Sequence, residues 1–281
     1  MKKFTVSFLA AAAAVMMIGG SAMANEAYDR PAASAALVRE LYGSDDPAYI
    51  KGEPELSAVM QRHIYGDVHR KIVNLTLAQQ ELLTIAALTA GGTPEDIALH
   101  VKGALKAGAT PAAVRETIFQ CTPYVGMPKV KNAMREMHKA FKAAGIKTPL
   151  ANNGTVTEAD RYDKGLAVQV GAFGQRILNG YKSAPKDAVH INYFLSQNCF
   201  GDFYTRTELD MKAREMITFA IIATIGGCEP QLRGHAAGNI AVGNSRQDLI
   251  DIVTLLQPYN GYPRTLNALA VVNAVAPAQA L

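Results

Sequence analysis

One stretch of this chain occurs twice, so any fold that satisfies the first copy must satisfy the second. Gly91 to Gly108 reads GGTPEDIALHVKGALKAG, and Gly226 to Gly243 reads GGCEPQLRGHAAGNIAVG. Each copy is a glycine-marked turn, a helix with a histidine midway, and a closing glycine. His100 and Gly108 return as His235 and Gly243, both 135 positions on. PYVGMPKVKNAM, starting at Pro123, returns at the same shift as PYNGYPRTLNAL from Pro258, and Tyr65-Gly66-Asp67 returns as Phe200-Gly201-Asp202. Blocks that agree in order and spacing make the chain a tandem duplication. Each histidine also trails a glutamate on the preceding apolar helix, Glu81 by 19 residues and Glu215 by 20.

The repeated unit reads as helices throughout. Leu77 to Ala90 is almost wholly apolar beyond Glu81, as is Met211 to Ile225 around Glu215, which predicts two helices buried on most sides. A glycine pair after each marks the helix end. Thr93-Pro94-Glu95-Asp96 predicts the start of the histidine helix, with Thr93 as the cap. Pro111 to Phe119 forms the next helix, and its second-copy equivalent starts in a capping box at Ser245-Arg246-Gln247-Asp248. Pro128 and Pro263 each open a terminal helix. Ahead of the first copy, Ala32 to Tyr42 and Pro54 to His63 read as short helices. No strand alternation or hairpin spacing occurs in either copy, so the expected fold class is all-α.

The organisation follows. Residues 1–24 read as a signal peptide: Lys2 and Lys3, an apolar run from Phe4 to Ile18, and Ala22-Met23-Ala24 before Asn25. A buried N-terminal helix is the other reading of that run. The first domain with its N-terminal extension is expected over 25–144, a linker rich in Gly, Pro, Asn and Thr over 145–160, and the second domain over 161–281. A periplasmic or secreted protein with no membrane contact after cleavage is expected, because later apolar runs such as Met216 to Ile225 are shorter than the ~20 residues a span needs. The net charge of +4 is not gathered into a basic stripe, which argues against a nucleic-acid partner. Cys121, Cys199 and Cys228 form no CxxC and no Cys/His cluster of zinc spacing, so no metal site is expected.

A glutamate on an apolar helix is costly to bury without a partner, and the histidine of the adjacent helix is the natural one. Such a pair either carries out proton transfer or serves as a buried hydrogen bond that fixes helix register. His63, His69, His138 and His190 have no repeated counterpart and read as surface or structural histidines.

The order Glu, 19 or 20 residues, His, Gly eight later, then Tyr-x-Gly-x-Pro resembles the carboxymuconolactone decarboxylase family, which includes the alkylhydroperoxidase D-like proteins. The resemblance covers about residues 60–142 and again about 195–275. It implies a tandem of alkylhydroperoxidase D-like helical domains that self-associates, as a trimer of tandem chains, and needs no cofactor. In the decarboxylase branch the local pattern is an acid, Leu or Ile, two residues, then His. Asp96-Ile97-Ala98-Leu99-His100 fits this, and Gln231-Leu232-Arg233-Gly234-His235 fits less well.

The reaction would remove CO2 from a small carboxylated molecule and reprotonate the enolate-type anion. His100 and His235 would act as acid and base, oriented by Glu81 and Glu215. Asp96, Tyr124 and Tyr259 are candidate substrate contacts. So are the cationic Arg206, Arg214 and Arg264, which also read as solvated surface charge.

In the peroxidase branch two thiols precede the histidine. Thr93 and Asp96 occupy those positions in the first copy, and Cys228 and Gln231 in the second. A thiol-dependent peroxidase would therefore rest on Cys228 alone, with Cys199 or Cys121 resolving. A non-catalytic oligomeric binding module is the third reading.

Overall fold

Helices that are apolar on every side cannot lie on a surface, and the two glutamate helices accordingly meet in the middle of the molecule. The structure is a computed structural model describing residues 28–278; the expected signal peptide lies outside those residues. In chain order the α-helices are α1 (Arg30–Tyr42), α2 (Pro54–Gln61), α3 (Leu77–Gly91), α4 (Ile97–Lys106), α5 (Pro111–Gln120), α6 (Thr122–Val125) and α7 (Met127–Ala143). They continue as α8 (Arg161–Phe173), α9 (Arg176–Ser183), α10 (His190–Phe194), α11 (Met211–Ile225), α12 (Glu229–Ala241), α13 (Arg246–Leu255) and α14 (Gln257–Val275). Among the described residues there is no strand, and the all-α tandem fold holds. No helix among them is long and apolar enough to cross a membrane.

The second copy retraces the first: α11 corresponds to α3, α12 to α4 and α13 to α5. The match extends to the Tyr-x-Gly-x-Pro turn. Gly126 separates α6 from α7 at φ 79°, ψ 161°, and Gly261 kinks α14 at φ 70°, ψ 166°. That positive-φ, extended-ψ geometry is open to glycine and hostile to a Cβ, which is why the turn keeps its glycine in both copies. Pro128 and Pro263 follow immediately in the first turn of the resumed helix, as expected.

Two local expectations are corrected, the start of the histidine helix and the end of the helix expected over Pro54 to His63. The histidine helix α4 starts at Ile97 with Asp96 before it, not at Thr93. Thr93 instead closes α3, its N–H donating to the Leu88 carbonyl at 3.1 Å. The segment after α2 widens into a π-helix over Arg62–Val68, and Leu195–Tyr204 does the same in the second copy. Such wide turns are rare and cluster at functional sites; these two carry Tyr65 and Tyr204 inward.

One core runs through both copies, with Ile85 and Ala86 of α3, Val114 and Ile118 of α5, Phe219 and Ile221 of α11, and Ile252 of α13 fully enclosed. Helices α3 and α11 pack directly on each other at its centre. Between the copies, 145–160 forms no helix and lies against its neighbours, Asn153 accepting from the Arg115 side chain and the Thr207 N–H.

The copies are latched to one another by two acids at equivalent positions. Glu116 of α5, fully buried, accepts from Arg206 Nε at 2.7 Å and Nη2 at 3.0 Å, with Arg214 4.0 Å away. Its counterpart Asp251 of α13 accepts the Val73 and Asn74 N–H groups at 2.9 and 2.6 Å. Each acid thus holds the segment leading into the other copy's glutamate helix. Removing the Glu116 carboxylate leaves three cations, Arg115, Arg206 and Arg214, around one buried site. Glu116→Ala is expected to destabilise the fold by about 3–5 kcal/mol in urea unfolding, as for other broken buried pairs.

Candidate active site

Each glutamate of the central helices meets its histidine. Glu81 Oε2 lies 2.9 Å from His100 Nδ1, and Glu215 Oε2 lies 2.9 Å from His235 Nδ1. All four side chains are buried. With the carboxylate accepting from Nδ1–H, the tautomer is set and Nε2 is the nitrogen left to exchange a proton.

The contact needs room, and a glycine three residues after each histidine supplies it. A Cβ on Gly103 would lie 2.8 Å from Glu81 Oε2, and one on Gly238 would lie 2.6 Å from Glu215 Oε2. Sequence reasoning passed over this glycine although it recurs at the 135-residue shift.

The other carboxylate oxygen takes a tyrosine hydroxyl in both sites, from different elements. At Glu81 the donor is Tyr42, at the end of α1, 2.6 Å from Oε1. At Glu215 it is Tyr204, at the end of the π-helix, 2.9 Å from Oε1. Phe173, at the end of α8, stands where Tyr42 does and packs edge-on to His235 at 5.2 Å between ring centres. The position equivalent to Tyr204 is His69. The hydroxyl has changed its point of attachment and kept its target. Burial raises the pKa of both phenols, so both stay protonated donors.

The repeated tyrosines exchange partners. Tyr124, from the first copy, lies edge-on to His235 of the second at 5.8 Å, and Tyr259, from the second, lies edge-on to His100 at 6.0 Å. Tyr124 also reaches Tyr204, with 3.0 Å between hydroxyls, completing a chain from Tyr124 through Tyr204 to Glu215 and His235. Neither site is built from one copy.

The surroundings of the two pairs differ. A cavity of about 1000 Å³ opens beside the second, lined by His235, Cys228, Tyr124, Phe173 and Phe200 among others. Its walls are mainly apolar, with Arg176 and Arg233 as cations. His100 does not line it. His100 is instead walled in by Tyr42 and Tyr259, with Tyr65 behind Tyr42. Lys102, on the same helix, is tied to the Tyr42 carbonyl and to Asp45, both at 2.7 Å.

The remaining candidates are placed as follows. Cys228 is half-buried and shares the cavity with His235. Cys199 reaches the same cavity, but burial pushes its thiol up to about 12 and its Sγ contacts the Tyr124 hydroxyl at 3.6 Å. Cys121 is sealed in the core, and all three are free thiols. Arg264 lies over the Gly226 turn in an adjoining pocket of about 310 Å³ that also touches Cys228. Asp96 is exposed, and its carbonyl accepts the His100 N–H at 3.1 Å.

For Arg206 and Arg214 the expectation of substrate contact is corrected. Arg206 is committed to Glu116, and Arg214 donates to Gln120 and to the Arg206 carbonyl, both at 2.7 Å. Burial lowers the Arg214 guanidinium to about 10. The cations in the cavity wall are instead Arg176 and Arg233, which the sequence did not single out as substrate contacts.

Gly238→Ala is expected to drive Glu215 off His235, seen as loss of the downfield Nδ1–H proton resonance, at a stability cost of about 1–3 kcal/mol. A second outcome concerns His69, whose Nδ1 is buried with no hydrogen-bond partner among the described residues. Desolvation lowers its pKa from the ordinary value of about 6.5. Below about pH 6.5 the unfolded chain takes up a proton that the folded chain refuses, so stability falls as pH falls. His69→Gln should flatten that part of the stability–pH curve in denaturant titrations.

The profile of the Carboxymuconolactone decarboxylase family matches residues 54–139 and again 192–274. A 4-carboxymuconolactone decarboxylase from Acinetobacter baylyi is 30% identical over 87 residues, covering 31% of this chain and 64% of the relative, just under two thirds of its length. A solved structure from Burkholderia xenovorans LB400, assigned as a gamma-carboxymuconolactone decarboxylase subunit, superposes with a TM-score of 0.52. It is 16% identical, over 87% of this chain and 97% of its own, and so speaks for the fold alone. Two family matches along one chain coincide with the two Glu–His units of the structure, and the protein belongs to the carboxymuconolactone decarboxylase family as a tandem of two such units.

Proposed function

We propose that this protein is a cofactor-independent lyase of the decarboxylase type, acting on an organic acid, and that the second copy is its working site. The observation that carries this reading is that the Glu215–His235 pair borders a cavity with room for a small molecule, whereas His100 is buried against the rings of Tyr42 and Tyr259. Glu215 holds the imidazole by Nδ1, and in this role a doubly protonated ring supplies its Nε2 proton. In the reaction the bond between the substrate carbon and its carboxylate breaks, and the electron pair moves into an adjacent conjugated carbonyl as an enolate. CO2 departs, and the Nε2 proton is delivered to the carbon. A proton from solvent restores the imidazolium. The apolar wall of Phe173 and Phe200 strengthens each electrostatic contact to the developing enolate.

On this reading the first copy is scaffold. Its pair is enclosed by Tyr42 and Tyr259, and Tyr259 serves as a packing group where Tyr124 faces the cavity. The test is release of CO2 from a panel of β,γ-unsaturated and β-keto acids that includes 4-carboxymuconolactone. His235→Gln should lower turnover by about 10²–10⁴-fold, the range for a lost acid–base group. His100→Gln should leave turnover within about threefold and lower stability instead. Full activity in His235→Gln would end the acid–base role.

The presence of Cys228 in the same cavity favours a second reading, thiol-dependent peroxide reduction. Sulfenic acid at Cys228 in mass spectra after peroxide treatment, together with peroxide turnover lost in Cys228→Ser, would establish it in place of the first.

A further inference from the structure

The cavity beside His235 is larger than proton transfer requires, and its wall contains an element that the first copy lacks. Between α8 and the π-helix the second copy inserts α9, where the first copy has the acidic loop following α1. Helix α9 brings Arg176 and Ile177 to the cavity, and Tyr181 pins it in place by donating to the Asn192 carbonyl at 2.8 Å. Arg176 Nε donates to the Phe173 carbonyl at 3.1 Å. Its Nη2 stands 4.0 Å from where a Cβ on Gly234 would lie, so the guanidinium sits over the turn of α12 that bears His235. Arg233 projects from the same helix, at the position Ala98 holds in the first copy. Among the described residues neither arginine forms an ion pair, whereas Lys102 on the equivalent helix α4 is neutralised by Asp45. The second copy has Ala237 where Lys102 would be. Every one of these differences opens the site or adds positive charge to it.

We propose that this cavity binds an amphipathic organic acid of drug-like size, its anionic head held by Arg176 and Arg233 and an aromatic or branched body laid along Ile177, Leu195 and Phe200. This deepens the assignment of His235 as the proton-transfer group, and rests on it, by naming the class of substrate that group meets. At about 1000 Å³ the cavity lies at the upper end of the range for sites that enclose drug-sized ligands. A short unsaturated acid would leave most of the apolar wall in contact with water. A planar guanidinium binds a carboxylate through two parallel hydrogen bonds, and two unpaired guanidiniums beside an apolar wall select for charge and bulk together.

The test is isothermal titration calorimetry on the full chain with 2-naphthoate, its neutral analogue 2-naphthalenemethanol, and the small acid crotonate. Naphthoate should bind at least about tenfold more tightly than either of the others. Arg176→Gln combined with Arg233→Gln should weaken naphthoate by about tenfold or more and leave naphthalenemethanol within about twofold. Ile177→Trp should remove naphthoate binding; should that variant fail to fold, Leu195→Trp fills the cavity from a different element. Calorimetry reads binding and CO2 release reads turnover, so naphthoate binding as described with no decarboxylation of any acid in the panel would end the acid–base role and leave this proposal standing. Crotonate or the alcohol binding as well as naphthoate, indifference to the arginine substitutions, or no binding of any probe would each overturn the proposal.

Discussion

A carboxylate placed in the middle of an apolar helix has to be satisfied without water, and this requirement fixes the arrangement around α3 and α11. Unpaired, such a group would cost several kcal/mol or give up its charge. Each glutamate takes a histidine Nδ1 on one oxygen and a tyrosine hydroxyl on the other. The histidine contact sets how closely the next helix approaches, and Gly103 and Gly238 make that approach sterically possible. Helix, turn, glycine and crossing are therefore consequences of one buried ion.

Having two copies shows what that constraint fixes and what it leaves free. Both keep the carboxylate, the imidazole and the small residue three positions on. The hydroxyl donor moves from the end of α1 to the end of the π-helix, with Phe173 filling the vacated place and Tyr204 occupying the place of His69. A single change would have left a carboxylate oxygen unpaired or two hydroxyls crowding it, so the two positions are coupled. Replacing Tyr42 by phenylalanine at the α8 position also turns a hydrogen-bonding group into an apolar wall, which suits a site with a cavity.

The glutamates and histidines could be found from the sequence because the duplication acts as an internal comparison: residues kept at one spacing are constrained by one geometry. The same comparison holds the signal for Gly103 and Gly238. It cannot report adjacency between the copies. Tyr124 and Tyr259 are equivalent by position, yet each completes the other copy's site, and a 135-residue shift carries no trace of that exchange. The arginines illustrate the converse. Arg206 and Arg214 look like anchors for an anion because they are cationic and precede Glu215 in the second copy; the anion they meet is Glu116, some ninety residues earlier and in the other copy. Arg176 sits on a helix with no first-copy equivalent, where a comparison of repeats has nothing to compare.

The exchange of tyrosines and acids also explains how one pair can be enclosed while the other keeps a cavity. A free-standing second unit would lack Tyr124 over His235 and the Glu116 that neutralises Arg206 and Arg214. The first copy thus completes the surroundings of the second copy's pair. Its pair still has to form, because Glu81 remains buried at the centre of the shared core beside α11. In the first copy Tyr42, Tyr65 and the Lys102–Asp45 bridge close over the pair. In the second copy α9 supplies part of the cavity wall beside His235, away from the central crossing of α3 and α11.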